Sequence, residues 1–135
     1  RLNKNLSVCV VEKLPYISYG SCGIPYYIGG YVRSHTDLIA LSLEEARKKR
    51  GIDVLTEWEA YEVDFNKKTV RISEINGNGE DILEYQYLVI ATGAYSILPK
   101  NINLPERKDG IFTIRHIVDA IKLKEYIQKK SPKKA

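Results

Sequence analysis

Cys22 lies in the stretch Ser18-Tyr19-Gly20-Ser21-Cys22-Gly23-Ile24-Pro25, a setting in which a thiol can react rather than pack. Ser18 and Ser21 carry the side chains that cap helices, and a helix beginning here places Cys22 where unpaired amides and the helix dipole favour thiolate. Gly20 and Gly23 leave room for a planar ring or a disulfide to reach the sulfur. An inert, packed thiol, the usual fate of a free cysteine, stays open on these residues alone. Two further stretches carry chemistry. Glu12 follows the apolar run Leu6–Val11, and an acid at the carboxyl end of a buried parallel strand accepts hydrogen bonds from a ribose; a polar residue opening a loop explains it equally. Ala91-Thr92-Gly93-Ala94 brings backbone close to something, either a cofactor or its own tight turn.

The elements that position these residues follow an α/β order. Leu6–Val11 is nearly continuous in apolar side chains, which predicts a parallel strand covered on both faces, with Cys9 inside it as a small buried hydrophobe. Ser42-Leu43-Glu44-Glu45 is a capping-box pattern, and Gly51 closes the helix after Arg47-Lys48-Lys49-Arg50. From Asp53 the period becomes two: Trp58, Ala60, Val63, Val70 and Ile72 alternate with charged residues. Turns at 66–68 and 76–79 predict a three-stranded antiparallel meander. Tyr87–Ile90 reads as a second buried strand running into the glycine turn. Ile117, Ala120, Ile121, Leu123 and Ile127 fall at helical spacing, and Ser131–Lys134 reads as a linker.

Composition narrows the classes. The chain has 135 residues, 44% hydrophobic and 28% charged, the balance of one globular domain. It contains no apolar run of the length a membrane helix needs and no signal-peptide profile, so a soluble, cytoplasmic protein is expected. The two cysteines lack the spacing of a disulfide framework or a metal site, so reduced thiols and no metal are expected. The net charge of +4 and pI of about 9.0 raise the alternative of a small basic module for nucleic acid or other anions. Against it, 17 acidic residues are interspersed with 21 basic ones and no nucleic-acid motif is present. His35 and His116 read as surface residues. The absence of methionine predicts that the chain is an excerpt of a longer protein.

Together, the strand ending in Glu12-Lys13, the motif from Ser18 to Gly30, the meander, Tyr87–Ala94 and Phe112–Arg115 resemble the single-cysteine FAD-dependent pyridine nucleotide-disulfide oxidoreductases. That group includes coenzyme A-disulfide reductases, NADH oxidases, NADH peroxidases and coenzyme A-dependent persulfide or sulfur reductases. The resemblance covers essentially the whole chain. It implies a partial FAD-binding Rossmann-like domain over residues 1–130, with a parallel sheet and an inserted antiparallel meander, lacking the first strand and glycine-rich loop. Residues 131–135 would begin the linker to an NAD(P)H-binding domain. It further implies that Cys22 is the redox-active nucleophile, and that Glu12 and Lys13 meet the adenosine part of FAD. Glu59 and Ala60 would meet the adenine through their backbone, while Ala91, Thr92, Gly93, Ala94 and Arg115 line the cofactor. Arg1, Ser18, Ser21 and Arg50 match positions that hold coenzyme A, Arg50 standing where a lysine occurs in a relative. The implied activity is NAD(P)H-dependent reduction of coenzyme A disulfide or a persulfide, in a homodimer formed through a further C-terminal domain. Oxidase or peroxidase activity is the alternative within the group.

Overall fold

The computed structural model describes residues 5–99 and 109–133. In chain order the elements are β1 (Cys9–Glu12), β2 (Ser18–Tyr19), a 3-10 turn (Ser21–Gly23), α1 (Ile24–Ile28) and a second 3-10 turn (His35–Leu38). They continue with β3 (Ile39–Leu41), α2 (Leu43–Lys48), β4 (Asp53–Thr56), β5 (Trp58–Asp64), β6 (Thr69–Glu74), β7 (Glu80–Glu84) and α3 (Ile117–Lys130). Two compact units are formed, Arg1–Ser18 with Ala40–Ile90, and Tyr19–Ile39 with Ala91–Ala135. β2 and β3 make a short two-stranded pair.

In the first unit β1 and β4 run parallel, with Cys9 opposite Asp53 and Glu12 opposite Thr56. Helix α2 connects toward β4 and packs on it, burying Ala46 and Val54 completely. Its start is built as the residue types predict, since Ser42 Oγ accepts from the Glu45 N–H at 3.2 Å. The box is only half reciprocal: the Glu45 carboxylate accepts from the Ser42 hydroxyl at 3.4 Å. Gly51 takes φ +57°, and the chain turns there so that the Ile52 N–H reaches the Ala46 carbonyl at 3.0 Å. Arg47 Nη2 then donates to the Val54 carbonyl at 2.7 Å.

The meander forms as expected, in the order β5-β6-β7. The pairing of β5 with β6 slips between Ala60 and Glu62. This bulge explains why the apolar positions go from Trp58 and Ala60 to Val63, an interval of three, before resuming strict alternation. Val70 and Ile72 on β6, the central strand, supply the buried face.

Two strand expectations need correction. β1 starts only at Cys9, and Cys9 and Val10 are exposed, so it is not covered on both faces and Cys9 is not a core residue. Tyr87–Ile90 adopts no paired strand, and Tyr87 and Val89 are 86% and 85% exposed. Among the described residues no strand lies hydrogen-bonded beside it, and an apolar segment of this type is stable as a buried strand only with neighbours on its edges.

In the second unit α1 and α3 pack together, burying Ile24, Tyr27, Leu38, Ile117 and Ala120. The helical spacing from Ile117 therefore holds. The Asp119 carboxylate closes the start of α3 by accepting from the His116 N–H at 2.8 Å and the Arg115 N–H at 3.0 Å. Ser131, at φ +46°, ends it. Ser131 to Lys133 carry no helix or strand, and Lys134 lies outside the described residues.

Candidate functional site

Cys22 sits in the 3-10 turn that leads directly into α1, and its side chain is exposed. The turn is held by the Gly20 N–H, which donates to the Leu38 carbonyl at 2.8 Å, and by the Gly23 N–H to the Gly20 carbonyl at 2.9 Å. A Cβ on Gly23 would overlap the Leu38 side chain. The absent side chain at Gly23 thus leaves space that the buried Leu38 fills. Leu38 is itself placed by a capped turn: Ser34 Oγ accepts from the Thr36 N–H and the Asp37 carboxylate accepts from the Ser34 N–H, each at 3.2 Å.

Neither Ser18 nor Ser21 acts as a helix cap. Gly20 and Gly23 occupy the capping positions of the 3-10 turn and of α1, without side-chain hydrogen bonds, because Ser18 belongs to β2 and Ser21 is already inside the turn. α1 is five residues long with Pro25 in its first turn, so its position depends on packing more than on its own hydrogen bonds. That packing comes from Ile24 and Tyr27, and from Lys124 on α3. Lys124 Nζ stands 3.9 Å from the centre of the Tyr27 ring and donates to the carbonyls of Val32 and Arg33 at 3.4 and 3.5 Å. No spacing rule links residues so far apart in the chain, and sequence reasoning missed this brace.

The stretch 91–94, expected as a glycine turn, forms no hydrogen-bonded turn and is exposed throughout, with Gly93 at φ +72°. Arg115 lies along it. Its Nε donates to the Ala94 carbonyl at 3.2 Å, and Nη2 is 3.5 Å from the place a Gly93 Cβ would take. Two residues expected to line one cofactor are thus in direct contact. The histidines are not free surface residues: His116 Nδ1 lies 3.4 Å from the Tyr19 hydroxyl and His35 packs edge-on to Tyr27 at 6.1 Å.

In the first unit, Glu12 ends β1 and is half-buried. Its Oε1 accepts from the Leu14 N–H at 2.8 Å, which fixes the carboxylate at the carboxyl end of a parallel strand. Among the described residues no hydrogen bond reaches its other oxygen. This acceptor fits a ribose diol, the group a doubly wound sheet places there. Lys13 pairs with Glu59 at 2.6 Å across exposed surface, an interaction of about 0–1 kcal/mol at most that orients more than it stabilises. Ala60 is exposed beside the bulge. A shallow groove lined by Thr56, Glu57, Trp58, Glu74, Asn76 and Gly77 begins just before them, with Glu57 held at φ +62°. Arg50 is exposed just beyond α2, its N–H bonded to the Glu45 carbonyl at 3.1 Å. Arg1 lies outside the described residues.

Cys9 is exposed as a residue, yet partial desolvation of its thiol first, and the Asp53 carboxylate second, push its pKa above the ordinary value and favour the thiol form. No group of three or more metal-ligating side chains occurs among the described residues, and no helix among them is long and apolar enough to cross a membrane.

Comparison with known proteins gives consistent matches. Residues 1–134 match the family described as pyridine nucleotide-disulphide oxidoreductase. The chain is 34% identical over 134 residues to an NADH oxidase of Methanocaldococcus jannaschii, covering 99% of this chain and 29% of that protein. It is 37% identical over 131 residues to an NAD(P)H coenzyme A polysulfide/persulfide reductase of Pyrococcus horikoshii, covering 96% of this chain and 27% of the relative. The crystal structure of reduced Bacillus anthracis CoADR-RHD superposes with a TM-score of 0.87 at 29% identity, over 97% of this chain and 23% of that one. The chain thus spans less than a third of the length of these relatives.

Proposed function

The chain belongs to the pyridine nucleotide-disulphide oxidoreductase family, and on that premise we propose that the full-length protein is an FAD-dependent enzyme. In this reading it uses NAD(P)H to reduce coenzyme A disulfide, or a related persulfide or polysulfide, through Cys22. The observation that carries the reading is the exposed Cys22 thiol on a turn anchored from below by Leu38 and followed at once by α1. A relative named for coenzyme A persulfide reduction matches over 96% of the chain, which supports that substrate class.

FAD, when bound, supplies the two-electron relay between NAD(P)H and sulfur. The protein's own residues do the rest. Glu12 accepts from the ribose hydroxyls, with Lys13, held by Glu59, and the backbone at Glu59 and Ala60 near the adenine. The stretch Ala91-Thr92-Gly93-Ala94, with Arg115 across it, lines the cofactor. The Cys22 thiolate attacks one sulfur of the substrate. One S–S bond forms to Cys22, the substrate S–S bond breaks, and the leaving thiolate takes a proton from water. Two electrons from NAD(P)H and one proton then release the second thiol and restore Cys22. With coenzyme A as the mixed-disulfide partner no second cysteine is needed nearby, and Cys9 is not called upon. Arg1, Ser18, Ser21 and Arg50 hold the substrate, the two arginines suiting its phosphates. Residues 1–130 then act as the FAD-binding domain and 131–135 lead toward an NAD(P)H-binding domain, in a cytoplasmic homodimer.

A second reading, NADH oxidase, is favoured by the 34% identity to the archaeal protein of that name. Anaerobic NAD(P)H titration of the full-length protein separates the two. The reductase reading requires a flavin spectrum, uptake of more than two electrons per flavin, and reoxidation by coenzyme A disulfide that disappears in Cys22→Ser. Reoxidation by oxygen or peroxide alone supports the oxidase or peroxidase reading, and absence of flavin overturns both.

A further inference from the structure

We propose that Asn76 is a modification site: its side-chain amide is lost spontaneously in the folded protein through attack by the Gly77 backbone nitrogen, whereas Asn78, in a second Asn-Gly pair, is protected by Glu74. The inference stands apart from the redox reading and rests on the connection between β6 and β7 alone.

Asparagine is among the thermolabile residues, and it is most open to this reaction before glycine, which has no Cβ to crowd the ring that forms. The connection Ile75-Asn76-Gly77-Asn78-Gly79 holds two such pairs. Asn76, Gly77 and Asn78 are exposed, in a bend that belongs to neither strand. The two pairs differ in what holds the attacking nitrogen. Among the described residues the Gly77 N–H makes no hydrogen bond. The Gly79 N–H donates to Glu74 Oε2 at 3.3 Å, and the Gly79 carbonyl accepts from the Glu74 N–H at 2.9 Å. A Cβ on either glycine would meet the Glu74 carboxylate, so this side chain lies against both but binds only the second amide.

In the reaction the Gly77 nitrogen gives its proton to water and bonds to Asn76 Cγ, and the Cγ–Nδ2 bond breaks. The departing nitrogen takes a proton from water and leaves as ammonia. Water then opens the cyclic imide at either carbonyl, giving aspartate or isoaspartate with no change of oxidation state. For Asn78 the same attack requires the Gly79 N–H to leave Glu74 first. The site also has a local consequence, because this connection is tied to the residue before β5: Asn76 Nδ2 donates to Glu57 Oε1 at 3.4 Å, and the Ile75 N–H to the Glu57 carbonyl at 2.9 Å. Conversion replaces the Asn76 donor with a carboxylate facing Glu57, so an attraction becomes a repulsion.

The test incubates the full-length protein at mildly alkaline pH in water enriched in heavy oxygen and follows both positions by peptide mass spectrometry, with isoaspartyl methyltransferase marking the isoaspartate. Acid at position 76 should accumulate about tenfold faster than at 78, the worth of one hydrogen bond to a charged acceptor. In denaturant the two rates should converge, because the protection of Asn78 comes from the fold. Asn76→Gln should remove the fast conversion, and Glu74→Ala, which frees the Gly79 N–H, should bring Asn78 up toward the rate of Asn76. Equal rates in the native protein, conversion at 78 first, no conversion at either position, or a ratio that persists in denaturant or in Glu74→Ala overturns the assignment.

Discussion

Arg115, two residues before α3, lies across the stretch 91–94 through a 3.2 Å hydrogen bond from its Nε to the Ala94 carbonyl, so the approach to α3 and that stretch are tied to each other. Gly93 stands at φ +72° near the guanidinium, where a side chain would be strained by the backbone. If this stretch lines FAD as proposed, Arg115→Ala weakens flavin binding by about fivefold, the worth of roughly 1 kcal/mol for one exposed hydrogen-bonded cation. Flavin fluorescence on titration of the full-length apoprotein measures it, and an unchanged affinity would remove the stretch from the cofactor site.

Gly23→Ala drives a methyl group into Leu38. Overpacking of this kind costs about 1–3 kcal/mol. Leu38→Ala alone leaves a cavity, but the pair should cost less than the sum of the two, because each change relieves the other. Denaturant melts of the four proteins give the coupling; strict additivity would mean that the turn carrying Cys22 does not rest on Leu38.

The two cysteines should label in order. Burial and Asp53 push the Cys9 thiol up, so iodoacetamide at neutral pH should modify the Cys22 peptide well before the Cys9 peptide, with Cys9 catching up as the pH is raised. Peptide mass spectrometry reads both. Cys9→Ser should leave disulfide reduction within about twofold of wild type, since its thiol has no part in the exchange.

Asp64 accepts from the N–H groups of Lys67 and Asn66 at 2.9 and 3.0 Å, and chiefly the first of these holds its carboxyl below the usual range. A lowered folded-state pKa contributes stability that is present above the unfolded value, near pH 4, and lost as the pH falls through the folded one. Asp64→Asn should therefore flatten the acid side of the thermal-stability profile below about pH 4. The same steep acid limb in the variant would assign it to other carboxylates.

Local signals carried much of this reading. Ser42 and Gly51 bracket α2 because a hydroxyl and a left-handed turn each satisfy helix-end groups without help from distant residues. The meander could be read because one face of β6 repeats every second residue, and Trp58, Ala60 and Val63 already contain the bulge in their spacing. What escaped depends on neighbours far along the chain. Nothing beside Gly23 announces that Leu38 fills its missing side chain, and nothing in Tyr27 foretells Lys124 above its ring. Tyr87–Ile90 departs from its pattern for the opposite reason: its composition suits a buried strand, but burial needs partners that the described residues do not provide. At Cys22 the residue types suggest serine caps, whereas Gly20 and Gly23 take those positions, with Ser18 two residues before the first and Ser21 one residue after it.

The outer strand of the meander has a further consequence. β7, Glu80-Asp81-Ile82-Leu83-Glu84, occupies the edge of its sheet with Ile82 54% exposed. An open edge of this kind is a template onto which another chain can add by main-chain pairing. Here three carboxylates surround the two aliphatic residues, so copies approaching edge to edge bring like charges together before any backbone bond can form. Salt screens charges at the surface, so added salt rather than heat is the condition under which this edge would first lose its electrostatic guard against pairing with another chain.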